Sequence, residues 1–345
     1  MQILLDITHP ADVHFFLRPM ENWRAAGHRV VVVARDKDIV LPLLAELKVE
    51  CLPIGRAGRG AVGLAVELLH REVRLLRLMR DRRPDVVCGF GGTFVVHPAW
   101  LLGVPRVVFT DTENARVANA LAFPFASLVC TPRAYPHRLR RPQLRYSGYK
   151  ELAYLHPRYF TPDPGALRDA GLSATEPFVF MRLVAWGSGH DFFDHGLCDV
   201  RAAVERLSRF GRVVVSAEGP LPAELEPLRL RGPLHRVHHL LAFARLYIGE
   251  SATMGAESAV LGTPAVVVST SRRSYLDELT ARYGLAFCYD HPRWGQAQAL
   301  QQAEALLGDP QTAQLWREGR ARMLAEQEDV SQFVTDLVVR QGREV

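Results

Sequence analysis

The chain has 345 residues, 48% hydrophobic and 23% charged, with a formal net charge of +5. That apolar content excludes a disordered chain, and the length is enough for two separate cores. Lys occurs only at 37, 48 and 150, so the basic character is that of Arg, which grips phosphate and carboxylate bidentately. A modest positive excess suits phosphate-bearing small substrates or an anionic membrane surface, and no nucleic-acid partner is expected. The five cysteines, at 51, 88, 130, 198 and 288, form no CxxC pair and read as buried free thiols of a reducing cytoplasm. "MQILLDITHP" has neither a basic flank nor a long apolar run, and no segment has the length of a membrane span. The expected location is cytoplasmic, with room for peripheral contact at the inner face of the membrane.

"QILLDI" (2–7) predicts a buried strand, followed by a helix over 11–26 that Gly27 closes. Strands follow at 28–34 and 48–54, then a long helix over 61–82 that stops before Pro84. "PDVVCGF" (84–90) enters a Gly-Gly turn, and strands at 104–110 and 126–131 complete a first half. Residues 131–177 carry seven prolines and read as linker and irregular structure. Alternation resumes with strands at 177–185, 211–217, 244–250, 263–270 and 284–290, and 295–340 is helical. Strands alternating with helices predict α/β architecture with parallel sheets, in two doubly wound, Rossmann-like domains. The boundaries read as 1–150, a linker over 151–176, a second domain over 177–330 and a tail over 331–345. In such folds ligands sit beyond the carboxyl ends of the strands, so two facing halves would make a cleft.

Those strand ends hold the candidate chemistry. "GESATMGAESAVLGTPAVVV" (249–268) turns from strand to helix at Glu250-Ser251-Ala252-Thr253. Ser251 or Thr253 can cap the helix, whose free N–H groups and positive dipole end suit a phosphate. Glu257 follows one turn in; a carboxylate cannot bind phosphate but can accept from a ribose diol. The plainer alternative makes Ser251 a simple cap and Glu257 a solvated residue. "VAWGSGHD" (184–191) is a second Gly-rich turn, in which Gly187, Ser188 and Gly189 would let backbone amides approach an anion beside His190.

In the first half, Gly91, Gly92 and Thr93 form a third turn, with a helix beginning near Thr93. "FTDTENAR" (109–116) supplies Asp111 and Glu113, and "DITHPADVHFF" (6–16) supplies Asp6, His9, Asp12 and His14. A carboxylate and an imidazole at one sheet edge are what acid–base chemistry needs. "GRGAVG" (58–63) matches a dinucleotide fingerprint, but the strand after it ends in Cys88-Gly89 without the acidic partner. "DKD" (36–38) reads as a solvated loop. His235, His238 and His239 lack the pattern of a zinc site, and no metal is expected. Over 54–83, Val66, Leu69, Val73, Leu76 and Met79 recur at helical spacing, with Arg71, Arg74, Arg77 and Arg80 on another face. Packing on a sheet with a solvated basic side is one reading. Contact of 55–83 with an anionic membrane is the other.

With these motifs in view, roughly residues 1–310 resemble the GT-B superfamily of sugar-nucleotide enzymes. "DITHPADVHFF…GHRV" is similar to the opening of predicted prokaryotic glycosyltransferases labelled as a domain of unknown function. "PDVVCGFGGTFVVHPAWLLGVPRVVFTDTE" resembles the N-acetylglucosaminyltransferase that makes lipid II. "GESATMGAESAVLGTPAVVV" resembles the superfamily's nucleotide-binding strand–loop–helix. The resemblance implies a GT-B fold and a metal-independent transferase with a UDP-sugar donor and no resident cofactor, acting on a cell-envelope acceptor. It implies Glu257 at the ribose, Ser251, Ala252, Thr253 and Met254 at the diphosphate, and Gly187, Ser188, Gly189 and His190 as its other wall. His14 falls near the transferase's first-loop histidine and, with Asp111, is a candidate base; His9 and Glu113 complete the expected catalytic set. UDP-N-acetylglucosamine 2-epimerases are the alternative. Glu113 matches one of their glutamates, but Gly92 stands where they carry an aspartate. A non-catalytic Arg-rich membrane- or nucleic-acid-binding protein is a second alternative.

Overall fold

A computed structural model of the chain describes residues 1–37, 39–56, 58, 60–184 and 196–343. It divides into two compact units, Met1–Tyr154 with Glu328–Val345, and Leu155–Gln327. The first contains β1 (Gln2–Ile7), α1 (Pro10–Ala25), β2 (Arg29–Asp36), α2 (Val40–Glu46), β3 (Leu52–Arg56) and α3 (Gly60–Arg82). It continues with β4 (Val86–Phe90), α4 (Val96–Leu101), β5 (Arg106–Phe109), α5 (Arg116–Ala122), β6 (Leu128–Pro132), β7 (Gln143–Tyr146) and α6 (Leu152–Leu155). The second holds α7 (Gly165–Asp169), β8 (Phe178–Leu183), α8 (Val200–Leu207), β9 (Arg212–Ala217), α9 (Val237–Phe243), β10 (Leu246–Gly249) and α10 (Ala252–Leu261). β11 (Ala265–Val268), α11 (Ser274–Glu278), β12 (Ala286–Tyr289), α12 (Gly295–Gly308) and α13 (Thr312–Glu326) complete it, and α14 (Val330–Gln341) returns to the first unit.

Both sheets are parallel. Their strand orders are β3-β2-β1-β4-β5-β6-β7 and β12-β11-β10-β8-β9. A strand covered on both faces needs apolar side chains of both parities, which explains the continuous runs of Val and Leu. In the first unit Leu4, Val33, Val87, Val108 and Val129 share one face with Leu75 and Met79 of α3 and Val96 and Ala99 of α4. Phe109 takes the other face, edge-on to Phe15 and Phe16 of α1 at 5.4 and 5.7 Å between centroids. The second core gathers β8, β9, β10 and β11 with α8 and α12 through Met181, Val215, Ile248, Val266, Leu207 and Leu300.

The stretch expected as linker holds structure. β7 pairs in parallel with β6 from Val129↔Gln143 to Pro132↔Tyr146, and α6 and α7 lie within 151–176. A four-residue edge strand, "QLRY", has too short a run and too polar a face to register as a pattern. The expected tail is α14, docked on α1. Trp23 Nε1 donates to the Thr335 carbonyl at 3.1 Å, and Asn22 Nδ2 to Thr335 Oγ1 at 3.1 Å. The crossing back occurs at Glu328, whose N–H donates to the Ser147 carbonyl at 2.8 Å.

The expected faces of α3 are also corrected. The inward face is Glu67, Arg71, Leu75 and Met79, an i, i+4 stripe, whereas Val62, Val66 and Leu69 are 79%, 63% and 66% exposed. The reason lies beneath the helix. Asp6 on β1 is buried, and Arg71, 0% exposed, meets it with Nη2 2.8 Å from Oδ1. The same guanidinium donates from Nη1 to the Ile54 carbonyl of β3 and lies 4.4 Å from the Phe94 ring centroid. Gly55, at φ 78°, is required there, because a Cβ would stand 2.6 Å from Arg71 Cγ. Beside it Arg35 forks onto Glu67 through Nε at 2.5 Å and Nη2 at 2.6 Å. Arg71→Ala leaves Asp6 buried without its partner and should lower the unfolding free energy by about 3–5 kcal/mol. Urea unfolding measures this, and a loss below about 1 kcal/mol would contradict the pairing.

Candidate functional site

In the second unit, the carboxyl end of β10 builds the turn that leads into α10. Ser251 is the N-cap at φ −84°, ψ 111°, and its Oγ accepts from Met254 N at 3.3 Å. Tyr247 OH donates to the Ser251 carbonyl at 2.9 Å, fixing the turn from below. Ser251, Ala252 and Thr253 are partly exposed at this helix start, and Met254 turns inward. The helix ends at Gly262, φ 89°, as a left-handed cap.

Glu257 is not the solvated residue of the plainer reading. It is 4% exposed, and His238 Nε2 of α9 donates to its Oε1 at 2.9 Å. The imidazole fixes the carboxylate's rotamer one turn into the helix. His238 thus has a role that its place in a histidine cluster did not suggest. His239 instead accepts through Nδ1 from Asp163 N at 2.9 Å, and burial holds its pKa below the ordinary value. Among the described residues no group of three or more His, Cys, Asp or Glu could hold a metal ion.

Glu250, read before only as part of the turn, is 7% exposed, and its two oxygens accept from Val184 N at 2.7 Å and Leu197 N at 2.8 Å. A Glu directly after a strand's terminal Gly was the sequence signal for it. Gly187, Ser188, Gly189 and His190 lie outside the described residues.

In the first unit, three strand ends meet around Lys150, which follows β7. Its Nζ is 3.1 Å from Asp111 Oδ2, 3.9 Å from Glu151 Oε1, and 5.1 Å from the Phe90 ring centroid. Asp111 is 3% exposed, and its Oδ1 accepts from Thr112 Oγ1 at 2.8 Å. Buried Tyr135 lies near Asp111 and Glu113; burial first, then these two carboxylates, push its phenol up to about 12. The polar, proline-flanked setting of Lys150 hid it from the sequence, although it is one of only three lysines.

His14 is half-buried and stacks on Tyr154 at 5.3 Å and 29°. His9 is exposed and acts as the N-cap of α1, its Nδ1 accepting from Ala11 N at 3.2 Å. Asp6, expected at this edge, is instead committed to Arg71. Gly91 and Gly92 both take positive φ, and a Cβ at Gly92 would stand 2.6 Å from Val108 Cγ2. Thr93 lies in the turn before α4, which starts at Val96 rather than near Thr93.

Asp12 is the titratable group this edge perturbs most clearly. Thr8 N, Thr8 Oγ1 and His9 N all approach its Oδ2, at 3.0, 3.1 and 2.9 Å. Burial outweighs them and the Lys150 charge, and pushes the carboxyl from 3.8 up to about 7. A carboxyl raised in the folded state keeps a proton that the unfolded chain has released. Its stabilising effect is complete below about pH 3.8 and is lost as pH rises through about 7. Asp12→Asn should remove that slope. Between pH 4 and pH 8 the variant should gain at least about 1 kcal/mol on wild type in chemical unfolding, and parallel profiles would refute it.

These two units define a GT-B fold, the fold of sugar-nucleotide glycosyltransferases. A glycosyltransferase of Streptomyces sp. SF2575, solved with thymidine diphosphate, matches with a TM-score of 0.62 at 14% identity, over 99% of each chain. The particular family follows from the sequence: the model described as "Protein of unknown function (DUF354)" matches residues 1–201, and the chain belongs to that family. An uncharacterized protein of Methanocaldococcus jannaschii is 23% identical over 280 residues, 77% of this chain and 81% of that one. The UDP-N-acetylglucosamine–N-acetylmuramyl-(pentapeptide) pyrophosphoryl-undecaprenol N-acetylglucosamine transferase of Pseudomonas entomophila is 25% identical over 298 residues, 79% of this chain and 78% of that enzyme.

Proposed function

We propose that the protein is a metal-independent glycosyltransferase that moves a sugar from a UDP-sugar to an acceptor hydroxyl of the cell envelope, with no resident cofactor. The observation that carries this reading is the β10–α10 turn. It offers a capped helix N-terminus at Ser251–Met254 and, one turn on, a carboxylate fixed by His238. The first suits a diphosphate and the second a ribose diol. The fold likeness to a glycosyltransferase that binds thymidine diphosphate supports a nucleotide there, and the lipid II transferase relative supports UDP. Because Glu257 is buried, a nucleotide has to uncover it to reach it.

In the transfer, the acceptor oxygen bonds to the sugar's anomeric carbon as the bond from that carbon to the diphosphate breaks. The acceptor proton passes to a base, and the charge left on the diphosphate is met by the α10 amides. His14 is the better candidate for the base, since its imidazole is half-exposed while Asp111 is engaged by Lys150. Thermal shift with UDP, GDP, dTDP, CMP and their sugars tests the donor. UDP compounds should stabilise the protein and Glu257→Ala should weaken them at least tenfold, whereas His14→Ala should leave UDP affinity intact and cut turnover. A response to GDP or CMP without UDP would refute the donor, and sugar isomerisation with no acceptor present would favour the epimerase-type alternative.

The peripheral membrane contact belongs to this reading as well. Val62, Val66, Leu69 and Val73 form an exposed apolar stripe on α3, beside exposed Arg74, Arg77 and Arg80. An exposed apolar stripe beside cations fits an anionic lipid surface. No helix among the described residues is long and apolar enough to cross a membrane. Sedimentation with phosphatidylglycerol vesicles should bring down the wild-type protein, and much less of Val66→Glu/Leu69→Glu. Equal sedimentation of both would remove this contact from the account.

A further inference from the structure

Glu250 is a buried acid of the second unit whose two carboxylate oxygens both accept from backbone amides, and these bonds define a task. It follows β10 directly and precedes the N-cap of α10. Its backbone N–H donates to the Arg182 carbonyl of β8 at 3.0 Å. Its side chain then reaches past the end of β8: Oε2 accepts from Val184 N at 2.7 Å and Oε1 from Leu197 N at 2.8 Å. One residue thus ties the exit of β8, and the chain where it comes back toward α8, to the residue next to Ser251.

The surroundings are built for this carboxylate. A Cβ at Gly196 would lie 2.1 Å from Glu250 Oε1, so the chain can pass only as glycine. A Cβ at Gly249 would lie 2.5 Å from the Arg182 carbonyl oxygen, so β10 and β8 approach closely just before the turn. An ionised carboxylate is an acceptor-only group, and two backbone N–H donors use both of its oxygens. A glutamine in the same place offers one acceptor oxygen, and its amide nitrogen faces an N–H it cannot satisfy. Arg182 itself is turned away, with Nη1 on Ser216 Oγ at 2.7 Å and Nη2 on Glu218. Two backbone amides, Val184 N and Leu197 N, are partners of the Glu250 carboxylate.

We propose that Glu250 is a positioning residue for nucleotide binding, which holds the carboxyl end of β8 in register with the N-terminus of α10. The proposal rests on the reading of the Ser251–Met254 turn as a diphosphate site. A diphosphate spans several ångströms, so donors on neighbouring strand ends must keep a fixed spacing to bind it together. Glu250 sets that spacing from the interior without touching the ligand.

Isothermal titration with UDP and with dTDP, well below the unfolding midpoint, compares wild type with Glu250→Gln and Glu250→Ala. Hydrogen exchange at Val184 and Leu197 is read on the same proteins. The expected result is graded: Glu250→Gln weakens binding several-fold, Glu250→Ala at least tenfold, and both amides exchange faster as affinity falls. Glu250→Gln keeps the question answerable if the alanine variant does not fold. Wild-type affinity in a folded variant whose two amides have lost protection would overturn the positioning role and leave a purely structural one. No binding of either nucleotide by the wild-type protein would refute the nucleotide reading itself, and this proposal with it.

Discussion

Arg71 is the residue on which the first unit turns. A guanidinium removed from water needs a partner charge and acceptors for its N–H groups, and β1, β3 and the turn after β4 surround it with them and with a ring. Asp6 comes from β1, the Ile54 carbonyl from β3, and the Phe94 ring from the turn after β4. With these bonds in place, α3 can present only one face to the sheet. Glu67, Arg71, Leu75 and Met79 go inward, and the apolar stripe from Val62 to Val73 is left in water. The local chain geometry follows the same constraint, since Gly55 has to be glycine to clear the Arg71 side chain. A buried ion pair of this kind adds little net stability relative to apolar packing; its effect is to specify one rotation of the helix over others.

The second unit reaches a comparable result with a carboxylate. Glu250 binds backbone amides, and Glu257 is bound by an imidazole. Both acids lie within the same strand–turn–helix, and both are almost fully buried. Burying two carboxylates at the mouth of a parallel sheet is costly unless each has donors in place. For Glu250 they come from the end of β8, level with that of β10, and from the chain before α8; for Glu257 the donor is His238 of α9. Both carboxylates of this turn are therefore held by donors on other parts of the fold.

The carboxyl edge of the first unit is organised around a cation. Lys150 gathers Asp111 and Glu151 and lies over Phe90, so groups from β4, β5 and the end of β7 share one charge. Asp12, across this edge on α1, feels the same ammonium but is governed by its own burial. His14, on α1 like Asp12, is half-buried and stacks on Tyr154.

Sequence alone was enough for the parallel α/β architecture, the order of the strands along the chain and the turn at Ser251. Uninterrupted apolar runs such as "RVVVVA" and "AVVV" form a strong local pattern, and a capping serine after a strand is equally local. β7, the return of α14 to α1, and the inward turn of Arg71 were not legible there. Each is set by a partner far along the chain: Gln143 by Val129 in a neighbouring strand, Thr335 by Trp23, Arg71 by Asp6. The same division runs through the candidate site. Residue type and spacing pointed to Ser251 and Glu257, but the bonds of Glu257 to His238, Glu250 to Val184 and Leu197, and Asp111 to Lys150 exist only once the strands lie side by side. Hydrophobic period and capping act over a few residues and are written in the chain; the pairing of buried charges depends on distances that only the folded sheet fixes.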